Sequence, residues 1–231
     1  MKKLIYFLFF SVASFQAIYP QELDIKVVDS LYKEDQFYAG VTYNLLGEKP
    51  SDLSQSGFSI GLHFGFIKDM PINKNRDVSI GIGLGYSANS FNQNLKITKD
   101  DLGAISYSIL EAEDNYSKNK FSSHLLELPV EFRWRTSTPV EYKFWRIYTG
   151  FKLGYLLANT VKFNGDPEHL KYKGLKDFNR LQYGITLCMG YNTWNLYAYY
   201  ALNPIFSKDA MLDGRTIDMN AIKVGLMFYV L

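Results

Sequence analysis

The chain has 231 residues, a net charge of +2 and 16% aromatic residues. That length suits one domain with its own core, and the near balance of charge carries no nucleic-acid signal. Its one cysteine, Cys188, leaves no internal disulfide and reads as a small buried hydrophobe on a strand.

Residues 1–21 read as a secretory signal peptide. Lys2 and Lys3 form a positive start, and Leu4 to Phe15 is an apolar run too short for the ~20 residues of a spanning helix. No cysteine follows that run, so a lipoprotein anchor is not expected. Residues 22–35 read as a polar periplasmic lead-in. From residue 36 to 231 the chain alternates between apolar and small or polar residues, the period of β-strands with two unlike faces.

The first strand is predicted over Gln36 to Leu45, with a polar loop to Ser56. The second, Gly57 to Ile67, sets Phe58, Ile60, Leu62, Phe64 and Phe66 against Gly57, Ser59, Gly61, His63 and Gly65. A connection over Lys68 to Arg76 leads to the third, Asp77 to Ala88. A long polar segment, Asn89 to Ser123, precedes the fourth, Leu125 to Trp134. After a turn over Thr136 to Tyr142 with Pro139 comes the fifth, Trp145 to Leu157, and then a polar loop over Ala158 to Asn179. The sixth, Arg180 to Tyr191, joins the seventh, Trp194 to Leu202, through a two-residue turn, Asn192-Thr193, the length of a tight hairpin. The loop Asn203 to Asn220 leads to the eighth, Ala221 to Leu231.

Eight strands with short and long connections in alternation predict an all-β, eight-stranded antiparallel up-and-down transmembrane barrel. The long loops are expected outside the cell and the termini in the periplasm. A soluble barrel would also alternate, but would turn its apolar face inward. Here the non-apolar face is crowded with glycine, including Gly61, Gly65, Gly81, Gly83 and Gly85. Glycine weakens a solvated strand and suits a narrow interior. Trp134, Trp145 and Trp194 fall at turns of one parity, with Tyr43, Tyr86 and Tyr155 near the opposite rim, as two interfacial girdles would.

The inward face carries Glu127, Glu131, Arg133, Arg135, Arg146, Lys152 and Lys223. The expectation is a structural lumen network, with Glu127 near Lys152, Glu131 near Tyr148, and Lys223 needing Glu127 or Glu131 as its carboxylate. An interior this narrow is filled by its own side chains, and buried charges must pair. Pro129 is expected to cause a bulge or a missing ladder bond in the fourth strand. His63 faces the lumen, whereas His124 and His169 are read as lying at or in the outer loops. No catalytic or metal-binding spacing and no cofactor is predicted. A loop-based acyl-transfer site at Ser122, Ser123 and His124 is a remote alternative. Pro204, Ile205, Phe206, Met211 and Leu212 mark a loop that could contact a partner or fold over as a lid.

Leu126-Glu127-Leu128-Pro129-Val130-Glu131-Phe132-Arg133-Trp134-Arg135, then Tyr148-Thr149-Gly150-Phe151-Lys152-Leu153-Gly154-Tyr155, and later Asn195 to Phe206 carry a family resemblance. The chain resembles the PorT family, also called SprT, of small outer-membrane barrels in Bacteroidota. The resemblance is strongest from Leu126 onward. It implies a non-enzymatic component of the type IX secretion system, associated with gliding motility, whose partners are outer-membrane lipid and other secretion-system proteins. It supplies no active residue. The alternative is a stand-alone structural or small-solute barrel.

Overall fold

The computed structural model describes residues 35–111, 113–137 and 144–230. The expected signal peptide, the lead-in up to residue 34, the turn residues 138–143 with Pro139, and Leu231 lie outside the described residues.

Thirteen strands occur among the described residues: β1 (Gln36–Gly47), β2 (Ile60–Pro71), β3 (Val78–Asn92), β4 (Leu95–Lys99), β5 (Ile105–Ile109), β6 (Tyr116–Arg135), β7 (Trp145–Gly165), β8 (His169–Lys173), β9 (Leu181–Tyr191), β10 (Trp194–Ala201), β11 (Met211–Leu212), β12 (Arg215–Thr216) and β13 (Asn220–Val230). Eight of them, β1, β2, β3, β6, β7, β9, β10 and β13, form one antiparallel ring. Pairing of β13 with β1 closes it, from Phe37 opposite Val230 to Gly47 opposite Asn220. Closure removes every open edge from the spanning part, which a strand in lipid requires because no water is present to satisfy free N–H and C=O groups.

The apolar face points outward. Leu196 is 63% exposed, Leu84 58% and Phe64 57%, at the centre of a wall that also shows Val41, Leu62, Ile82, Leu128, Val130, Ile185 and Val224. A soluble barrel would bury these side chains, and exposed apolar area on this scale marks a lipid contact. Replacing Leu226, which lies between Val41 and Leu196 in the ladder, by arginine is expected to cost about 2–4 kcal/mol. Reversible unfolding from lipid vesicles, read by tryptophan fluorescence, measures this.

Inside, small residues make room for large ones. Tyr38, Gly65, Gly85 and Glu127 follow one another across β1, β2, β3 and β6. The Tyr38 ring lies over both glycines. A Cβ on Gly65 would stand 2.7 Å from Tyr38 Cε1, and one on Gly85 would collide with the Tyr38 hydroxyl.

Several strands run further than the alternation from Gly57 to Leu157 suggests. Gly57 itself is a turn residue with φ of +71°, so β2 starts at Ile60 and continues through Asp69 to Pro71. The segment expected to be a polar loop from Asn89 to Ser123 instead holds the end of β3, the β4–β5 hairpin and the first turns of the sheet in β6. The expected loop Ala158 to Asn179 holds the upper half of β7 and all of β8. The signal was obscured by a bulge: His124 pairs with Ala158 but Leu125 with Leu156, so Leu157 is an extra residue. A bulge reverses the facing of every residue beyond it. Tyr155 and Leu157 point outward, yet Val161 and Phe163, of the same parity, are buried.

At Pro129 the β3–β6 ladder is interrupted between Ile82–Val130 and Gly85–Glu127, with no change of register. Proline lacks the ladder donor, and a gap rather than a bulge accommodates it. The Asn192-Thr193 turn is tight, with Tyr191 opposite Trp194 and Asn192 at φ of 55°, a left-handed conformation asparagine tolerates.

Candidate functional site

The barrel interior divides into two polar clusters below an apolar cap. The first lies at the short-turn end. Asp69 on β2 is fully buried and accepts from Arg133 Nη1 at 2.9 Å, Arg135 Nη2 at 2.8 Å and Ser79 Oγ at 2.6 Å. Arg133 also donates to the Gln36 side-chain carbonyl, and its guanidinium stacks 4.1 Å from the Tyr148 ring centroid. Glu131 Oε2 lies 3.6 Å from Arg133 Nε. Arg146 packs over Phe144 at 4.5 Å and Tyr229 at 5.4 Å. One carboxylate thus bridges two guanidiniums, each oxygen taking a charge-assisted bond.

The second cluster sits at mid-height. Glu127 Oε2 accepts from Lys152 Nζ at 3.0 Å and Glu127 Oε1 from Ser87 Oγ at 2.7 Å. Lys152 also donates to Tyr197 Oη at 2.9 Å. His63 Nδ1 stands 3.8 Å from Glu127 Oε2, and its Nε2 is 3.0 Å from Thr42 Oγ1. Lys223 Nζ lies 4.9 Å from the Tyr199 ring centroid.

All six residues expected in the lumen network, Glu127, Glu131, Arg133, Arg135, Lys152 and Lys223, are buried inside the ring. Glu127 and Glu131 stand opposite Gly154 and Gly150, so Lys152 and Tyr148 are their diagonal neighbours across the β6–β7 ladder. One detail of the expected pairing is corrected. Lys223 is not bridged to Glu127 or Glu131: among the described residues it lies in no ion pair and faces an aromatic ring instead. Those two are also not the only carboxylates of the interior. Asp69 was missed because β2 was expected to stop at Ile67. Continuing the inward series Gly61, His63, Gly65, Ile67 by one more step finds it.

Glu127→Gln removes the charge facing Lys152 while keeping an acceptor, and is expected to cost about 1–3 kcal/mol. In a double-mutant cycle with Lys152→Met, the same vesicle unfolding measurement should give a coupling of about 0.5–3 kcal/mol. A coupling near zero would mean that the pair contributes register but no stability.

A ring with a lipid-facing apolar wall and a charged, filled interior is an outer-membrane architecture. Residues 23–207 match the family described as "Outer membrane protein beta-barrel domain". The chain belongs to that family. No curated protein matches it. Among solved structures, the attachment invasion locus protein Ail of Yersinia pestis is 12% identical, with 86% of this chain and 100% of that chain covered and a TM-score of 0.34. A structure described as "Asymmetric conductivity of engineered proteins" is 8% identical over 86% of this chain and 100% of that chain, with a TM-score of 0.22. Similarity this low carries no functional argument.

In this family member the long connections fold into a cap over the barrel. Phe121 is fully buried at its centre, with ring centroids at 5.0 Å to Phe91, 5.4 Å to Phe206 and 5.7 Å to Phe178. Leu95, Ile97, Val161, Ile205, Ile217 and Met219 belong to the same buried cluster. Tyr107 Oη donates to Asp177 Oδ2 at 2.8 Å. Burial, and then the Asp177 carboxylate, push the Tyr107 phenol above its usual range. Of the loop expected to meet a partner, Ile205, Phe206 and Leu212 are buried in this cap, whereas Met211 is half exposed. The apolar character of three of those residues therefore serves packing.

His124 lies on β6. Its Nδ1 is 2.5 Å from the Tyr86 hydroxyl on the outer wall. Ser123 is buried on the opposite face of the strand, so of the two serines only Ser122 shares the His124 face. His169 opens β8. An open cleft of about 400 Å³ lies between Glu48 to Asp52 and the β11–β12 hairpin, lined by Asp213, Arg215 and Asp218 among others.

Proposed function

We propose that this outer-membrane barrel is an accessory component of the type IX secretion system that acts through protein contacts, with its lumen network serving structure. The observation that carries the reading is the filled interior: ion pairs at two levels under a packed cap leave the outer surfaces as the place of action. The secretion role rests on the resemblance of Leu126 to Tyr155 and Asn195 to Phe206 to the PorT family, stretches that in this fold build β6, β7 and β10. Deleting the gene should abolish export of type IX cargo to the medium, and the intact gene should restore it. Unchanged export in the deletion strain would leave a stand-alone barrel as the function.

In this reading the capped end faces the outside of the cell and the chain termini face the periplasm. Leu102, at the tip of the β4–β5 hairpin, is 96% exposed. Leu102→Cys should therefore react with a membrane-impermeant maleimide on intact cells, while the buried Cys188 stays silent. Labelling only after the outer membrane is opened would invert the orientation.

A further inference from the structure

Above the bulge, β6, β7 and β8 form a three-stranded sheet whose inner face packs in the cap. Its outer face carries an unusual row. Lys120 on β6 stands directly opposite Lys162 on β7, and Lys162 directly opposite Lys171 on β8. Lys118 and Lys173 lie one step to either side on the same face. Neighbouring strands are about 4.8 Å apart, so Lys162 has a like charge on each side at a backbone spacing shorter than the Debye length of about 8 Å at physiological salt. Like charges directly opposite in a ladder are destabilising, and here two such pairs share one residue.

No ion pair among the described residues neutralises Lys118, Lys120, Lys162, Lys171 or Lys173. The nearby Glu168 is committed to Lys96. Lys120 reaches only the Ser90 hydroxyl, at 3.4 Å. Burial, then Lys118 and Lys162, lower the Lys120 pKa. An anion bound across the row would offset this repulsion with charge-assisted bonds.

The position of the row says which anion. On β6 the outward residues run without a break from the lipid-facing Leu128 and Leu126, through His124 beside the interfacial Tyr86, to Ser122 and Lys120. At a strand tilt of about 40° the four residues above His124 rise about 10 Å, which sets Lys120 at the outer margin of a headgroup layer about 5–8 Å deep, within reach of its long side chain. The row runs across the strands on the outward face, inclined to the membrane plane by the strand tilt. We propose that Lys120, Lys162 and Lys171 bind the phosphate groups of membrane lipid headgroups in the leaflet at the capped end. The proposal requires that the barrel span a membrane and is independent of the secretion role.

The test uses the full chain, folded in a non-ionic maltoside detergent and titrated with diphosphorylated lipid A, with the same lipid after phosphatase treatment, and with inorganic phosphate. Native mass spectrometry counts the lipids retained. Wild-type protein should retain the phosphorylated lipid at least tenfold more tightly than the dephosphorylated one, and inorganic phosphate at equal concentration should not displace it. The triple variant Lys120→Gln, Lys162→Gln, Lys171→Gln should lose that preference while keeping heat-modifiable migration, and the corresponding triple arginine variant should retain it. Lys49→Gln with Lys74→Gln and Lys208→Gln, which removes three exposed charges elsewhere, should leave it unchanged. Equal loss in this control, or equal retention of both lipids by wild type, overturns the proposal. So does a preference for polyglutamate over the phosphorylated lipid, which would assign the row to an acidic polypeptide. A triple variant that fails to fold is replaced by Lys162→Gln alone, for which at least a threefold loss is expected and no change overturns the proposal.

Discussion

Asp69→Ala is expected to destabilise the barrel by about 3–5 kcal/mol, the cost of breaking a buried ion pair from one side. The carboxylate is shared by Arg133 and Arg135, both fully buried. Its removal takes from both guanidiniums the carboxylate they share, in an interior too narrow for bulk water to replace it. Asp69→Asn should cost less, because an amide oxygen still accepts one bond. Urea-induced unfolding from phospholipid vesicles reads both, and the exposed Asp101→Ala serves as reference. A midpoint for Asp69→Ala equal to that of the reference would show that the cluster at the short-turn end contributes nothing to stability. The comparison also bears on why buried charge is present at all. Apolar residues of similar volume are often as stable, but they would remove the distinction between the two faces of every strand.

Phe121→Ala should have an effect of similar size, about 3–5 kcal/mol, in a different place. The ring touches three other buried aromatics, each from a separate segment: Phe91 from β3, Phe178 from the β8–β9 connection and Phe206 from the β10–β11 connection. Truncation leaves a cavity where these segments meet. The expected consequence is local, since the cap can open while the ring below stays closed. Trypsin should then cleave at Lys96 and Lys99 much faster than in wild type, while the barrel keeps its heat-modifiable migration on gels. Cleavage at the wild-type rate would mean that the cap is held by its backbone ladders rather than by this cluster.

These two sites differ in how far they could be read without the fold. The Phe121 cluster lies largely in segments that look like polar loops, because in Asn89 to Ser123 the residues Asn, Ser and Lys outnumber the apolar ones. Only when β6 and β7 continue past the membrane, with Leu157 bulged out, do Val161 and Phe163 turn inward, Val161 directly opposite Phe121. The lysine row has the same origin. Lys120, Lys162 and Lys171 are scattered in sequence, and only the register brings them side by side. Asp69 is an intermediate case, one step beyond a series that was already alternating.

What the sequence determined by itself was the fold class and the facing of the wall. A period of two, with glycine opposite aliphatic residues, permits one closed solution when eight such segments alternate with short and long connections, because backbone polar groups in lipid must all be paired. Burial of Glu127, Arg133, Lys152 and Lys223 followed from the same parity. Which charge meets which did not. Register places Glu131 opposite Gly150, brings Asp69 between two arginines, and leaves Lys223 over Tyr199. Partner choice inside a barrel depends on strand stagger to within a single pair, and stagger is a property of the closed ring rather than of any one strand.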